Sequence, residues 1–155
     1  KTCEHIERVL RNNHAFRKID TGLYVIKQGS CLVMISVHPW KETHVIIRLT
    51  AQLVKGVTME VPLALELLEL NGILRFGAFA YVPAGDIIVF SHTLLERTLS
   101  DEQEFLDTIR DFAIVAHEYD DRIASRYGGS TMQDLLEEEA IHHMQQDHRE
   151  HHFWK

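Results

Sequence analysis

The chain has 155 residues, 45% of them apolar, enough for one domain that buries a core without metal or disulfide support. A formal charge of −7 argues against a nucleic-acid partner held by phosphate neutralisation, and no apolar run approaches the length of a membrane span. Cys3 and Cys31 are far apart and no C-x-x-C occurs, which excludes a disulfide framework and points to a reducing, cytoplasmic compartment.

The chain opens on Lys1 rather than Met, as a trimmed chain would, and no signal-peptide pattern follows. Residues 2–13 read as an amphipathic helix, with Thr2 as its cap and Cys3, Ile6, Val9 and Leu10 on one face. Three strands are expected next, over 16–28, 31–38 and 43–54, separated by Gly29-Ser30 and by Pro39-Trp40-Lys41-Glu42. In the third, Val45, Ile47, Leu49, Ala51 and Leu53 alternate with His44, Ile46, Arg48, Thr50 and Gln52. Short connections imply an antiparallel meander with one fully apolar face that needs a cover.

Residues 60–71 predict a short, mostly buried helix. Pro62 suits its first turn, Leu63, Leu67 and Leu70 recur at helical spacing, and Asn71-Gly72 is a stop signal. Strands over 74–82 and 86–92 are joined at the turn Pro83-Ala84-Gly85. The longest helix opens on a capping box of Ser100 and Gln103 and carries the stripe Phe105, Ile109, Phe112, Ala116, Tyr119 and Ile123. Gly128-Gly129 ends it, and Ser130 with Gln133 forms a second capping box before a polar last helix. The predicted order is α-β-β-β-α-β-β-α. This is an α+β fold with an antiparallel five-stranded sheet and helices mainly on one face, spanning residues 1–129. A polar, His-rich tail follows over 130–155, where six acids stand against two bases.

Two stretches carry a family resemblance. LELLELNGILRFGAFAY and the helix ending His117-Glu118-Tyr119-Asp120-Asp121 through Gly128-Gly129 resemble the YbjN family, which shares the fold of type III secretion chaperones. The resemblance covers roughly residues 3–129. It implies a bacterial, cytoplasmic, type III secretion chaperone-like protein that forms a homodimer through the central helix and adjacent strands and binds extended segments of other proteins. It carries no established biochemical activity and implies no cofactor.

Three groups of residues invite a chemical reading. Asp120-Asp121 could form a carboxylate pair, but neighbours on a helix point about 100° apart, so a structural partnership with Arg75, Arg122 or Arg126 is favoured. His117 lies three residues before Asp120, close enough for contact, yet no motif places a nucleophile beside it. In the tail, Glu139, His143, Asp147 and His151 recur every four residues and would form one row on a helix, a spacing that can chelate zinc, copper or nickel. The expected function is therefore non-enzymatic: a dimeric protein-binding module that captures an apolar, extended segment on the sheet's exposed face or edge. Ile46, Arg48, Leu65 and Leu68 are the expected binding or dimer surface. The alternative is a metal- or pH-responsive regulator acting through His143, Asp147 and His151.

Overall fold

The computed structural model describes residues 1–13, 15–28, 31–131, 141, 142, 145 and 146. Helix α1 (Thr2–Leu10) precedes strands β1 (Phe16–Asp20), β2 (Leu23–Gln28), β3 (Cys31–Trp40) and β4 (His44–Lys55). Helix α2 (Val61–Ile73), strands β5 (Ala78–Val82) and β6 (Ile87–Leu95), helix α3 (Glu102–Tyr127) and the short strand β7 (Ser130–Thr131) complete the order. The fold is α+β, and the antiparallel sheet runs β1-β2-β3-β4-β6-β5, with β7 added to β4.

The sheet has seven strands rather than five. The expected strand over 16–28 is a hairpin. Gly22 adopts φ +70 at its turn, the Asp20 carboxylate accepts the Thr21 N–H, and Leu23 pairs back with Asp20. The seventh strand is β7, which pairs Ser130 and Thr131 with Lys55 and Val54, so the sheet extends two residues beyond position 129.

Alternation along the strands gives the sheet two faces. Tyr24, Ile26, Val33, Ile35, Ile47, Leu49, Ala51, Ile88 and Phe90 point to the first face. Helices α1, α2 and α3 cover it, with Ile6 and Leu10 from α1, Leu63 and Leu67 from α2, and the whole expected stripe of α3. Phe90 stacks on Phe112 at 5.0 Å and tilts against Phe79 at 5.1 Å, and Phe79 meets Tyr119 edge-on. Full burial of each such ring contributes about 1.5–3 kcal/mol.

Several local signals act differently from their sequence reading. Thr2 does not cap α1; its hydroxyl donates to Glu96, which ties α1 to the turn before α3. The cap of α3 is Asp101, whose carboxylate accepts the Glu104 N–H, while Ser100 and Gln103 bond to Arg97 and Asp107. Ser130, the first residue of the second expected box, pairs with Lys55 in β7, and Gln133 lies outside the described residues. Helix α2 runs through Asn71-Gly72 to Ile73, because the Asn71 side chain is engaged elsewhere: its amide donates to the Phe79 carbonyl and accepts the Phe79 N–H. The chain reverses instead at Gly77, with φ +77. A Cβ there would lie 2.5 Å from the Phe90 ring, so only glycine fits the close approach. The Gly77 N–H donates to Nδ1 of His92, and Phe76 packs edge-on to the same imidazole.

Candidate protein-binding surfaces

Helix α2 is apolar on two opposite sides. Leu63 and Leu67 point into the core, whereas Val61, Leu65 and Leu68, spaced four and three residues apart, face outward. Leu65 and Leu68 are 53% and 66% exposed. The helix is held in this orientation by Glu66, whose carboxylate takes Arg126 at 2.7 Å, Arg122 at 3.7 Å and the Tyr127 hydroxyl at 3.0 Å. Two of the three arginines expected near Asp120 and Asp121, Arg122 and Arg126, thus clamp α3 onto α2.

Ile46 and Arg48 lie elsewhere, half-buried on the second face of the sheet. Desolvation lowers the Arg48 guanidinium from its usual value. The four expected surface residues therefore form two surfaces. Leu65 and Leu68 belong to the outer side of a helix that covers the first face, and Ile46 and Arg48 belong to the opposite face.

The second face is mixed. Leu23, Val25, Leu32 and Met34 form one apolar cluster, and Ile141 packs into it with 7% exposure. Val82, Ile87 and Val89 form another. Between them lie the buried polar side chains Ser36, Thr50 and Gln52.

The sheet's outer strands are poor templates for strand addition. Strand β1 is short, carries Arg17, Lys18 and Asp20, and shifts register between Lys18 and Asp20. On β5, Asn71 already occupies the outward N–H and C=O of Phe79. At the tip of the β3–β4 hairpin, Trp40, His44, Val45, Leu95, Glu96 and Arg97 line a cavity of about 200 Å³, and the Lys41 ammonium sits over the Trp40 ring at 4.6 Å.

Of the chemical candidates, His117, Asp120 and Asp121 lie among the described residues. His117 Nδ1 is 3.8 Å from the buried Asp120 carboxylate, which also accepts the Asp121 N–H. The nearby thiol is Cys31, and burial, with a smaller contribution from the Asp120 charge, pushes it up to about 12, so no thiolate forms near neutral pH. Neither the Trp40 cavity nor its neighbour at His5 and Glu96 includes His117 or Asp120. Among the described residues no three metal-ligating side chains converge, and Glu139, His143, Asp147 and His151 lie outside those residues. Among them, too, no helix is long and apolar enough to cross a membrane.

Two surface features escaped the sequence reading. Val61 extends the Leu65–Leu68 stripe at a spacing that could have revealed it. The position of Ile141 is a long-range contact with no local signal.

A family model described as "T3SS (YopN, CesT) and YbjN peptide-binding chaperone 1" matches residues 2–135. No curated protein matches the chain.

Proposed function

The chain belongs to the family of T3SS- and YbjN-type peptide-binding chaperones, and on that premise we propose that it is a non-enzymatic, cytoplasmic module that holds an apolar, extended segment of another protein and works as a homodimer. The outer side of α2 carries this reading: Val61, Leu65 and Leu68 expose a stripe on a helix whose other side is already buried. We assign Leu65 and Leu68 to the dimer surface and Ile46 and Arg48 to the margin of the segment-binding surface. Covering three large apolar side chains on each of two copies opposes an association cost of about 4–15 kcal/mol. The pairing should therefore depend on concentration.

Sedimentation velocity over a concentration series tests the dimer. The wild-type chain should shift from monomer to dimer, and the double variant Leu65→Glu, Leu68→Glu should remain monomeric with an unchanged circular dichroism spectrum. A wild-type chain that stays monomeric throughout would remove the dimer from the proposal. An array of overlapping peptides tests segment binding. Capture should favour peptides with spaced aliphatic side chains and weaken in Arg48→Glu; an array that captures nothing counts against the peptide-binding role.

A further inference from the structure

We infer that the second face of the sheet is the seat for an apolar segment and that the chain's own C-terminal segment is its resident occupant, which a partner segment must displace. This rests on the peptide-binding reading and adds to it a location and a means of regulation.

Helices α1, α2 and α3 do not cover this face, because their buried apolar side chains join the cluster on the opposite one. Yet Leu23, Val25, Leu32 and Met34 are buried, and the described side chain that packs among them from outside the strands is Ile141. The covering segment starts from a fixed point. Gly129, at φ +91, lies so close to β4 that a Cβ would sit 2.6 Å from Val54 Cγ1, and β7 then hydrogen-bonds to that strand. Ile141 is helical and buried while the next residue, His142, is exposed, so the described part of the turn presents a branched aliphatic side chain inward.

Two further observations suit an exchangeable occupant. Thr50, the register partner of Met34, is 2% exposed, and its hydroxyl has no hydrogen-bond partner among the described residues. The seat thus keeps a polar group for an incoming chain to use. Arg48 lies on the same face, and residues 130–155 carry six acids against two bases, so occupant and face have complementary charge. The partner that fits is an acidic segment with a branched aliphatic side chain presented from a helical turn.

The test uses the full chain and its Ile141→Asp variant, with a fluorescein-labelled peptide of residues 130–155 as probe. Anisotropy should show the probe binding the variant about tenfold or more tightly than the wild-type chain, whose seat is filled; the same probe carrying Ile141→Asp should not bind. Adding Met34→Glu to the variant chain should abolish binding. Equal binding to both chains, or binding to neither, overturns the inference. Far-UV circular dichroism and a cooperative melt confirm that the variant is folded; if it is not, Ile141→Ala replaces it under the same criteria. The peptide array separates this inference from the reading beneath it. Equal capture by wild-type and variant chains overturns the occupant but leaves peptide binding intact. Probe exchange without any array capture supports the occupant and removes foreign segments as ligands.

Discussion

The two faces of the sheet exclude water by different means. The first is sealed by three helices and by interlocked rings, with Tyr24, Phe90, Phe105 and Phe112 fully buried. The second pairs smaller aliphatic side chains with buried Ser36, Thr50 and Gln52, and receives Ile141 from the segment after β7. Opening the first face means dismantling the domain, since α1, α2 and α3 are all committed to it. On the second, release of Ile141 leaves the core side chains of α1, α2 and α3 in place. A binding surface that must alternate between covered and open belongs on the second kind of face, where local release is separable from global unfolding.

The largest test of this contrast is Phe90→Ala, which removes a ring stacked between Phe112 and Phe79. It should cost about 3–5 kcal/mol in urea unfolding. A loss below about 1 kcal/mol would mean that the first face is not the folding core. Gly77→Ala should cost about 2–3 kcal/mol, combining an unfavourable positive φ with a methyl driven into the Phe90 ring. Ile141→Ala should lower global stability by no more than about 1–2 kcal/mol, while raising amide exchange in β2 and β3 on the second face. A loss as large as that of Phe90→Ala would erase the distinction between the faces.

The smallest expected effect is a pH dependence on the first-face side. Burial lowers the His92 imidazole below its usual value, and its Nδ1 accepts the Gly77 N–H. The unfolded chain then takes up a proton before the folded one does. The stability His92 contributes is therefore fully present above about pH 6.5 and is lost as pH falls through the lowered folded value. The urea midpoint should fall more in wild type than in His92→Asn between about pH 7 and pH 5. Identical slopes would show that His92 does not couple to folding.

Periodicity made the first face legible. The stripe of α3 is buried at all six expected positions, and the alternation of β4 places Ile47, Leu49, Ala51 and Leu53 in the core. The second side of α2 was legible in part, through Leu65 and Leu68. What local pattern could not carry was competition between partners. Asn71-Gly72 has the chemistry of a helix stop, but the Asn71 amide is used on Phe79. Ser100 has the chemistry of a cap, but Asp101 stands one residue closer to the helix start. The hairpin at Thr21-Gly22 was hidden because apolar residues on both sides also fit one long strand. The alternation of β4 gave Thr50 and Gln52 a half-exposed face, and no local signal in the sequence marks either as buried.

The Asn71 contact also bears on how the molecule ages. An asparagine followed by glycine is the pair most prone to lose its amide, because the glycine nitrogen can close on the side-chain carbonyl to form a succinimide. In this chain Asn71-Gly72 lies inside α2, and the amide is held at both ends by the Phe79 backbone, so neither the nitrogen nor the carbonyl carbon can reach the other. Were the reaction to occur, an aspartate oxygen would replace the donor that now faces the Phe79 carbonyl, setting two acceptors against each other at the edge of β5. The slow appearance of aspartate at position 71 in stored protein would therefore record how often the last turn of α2 comes undone.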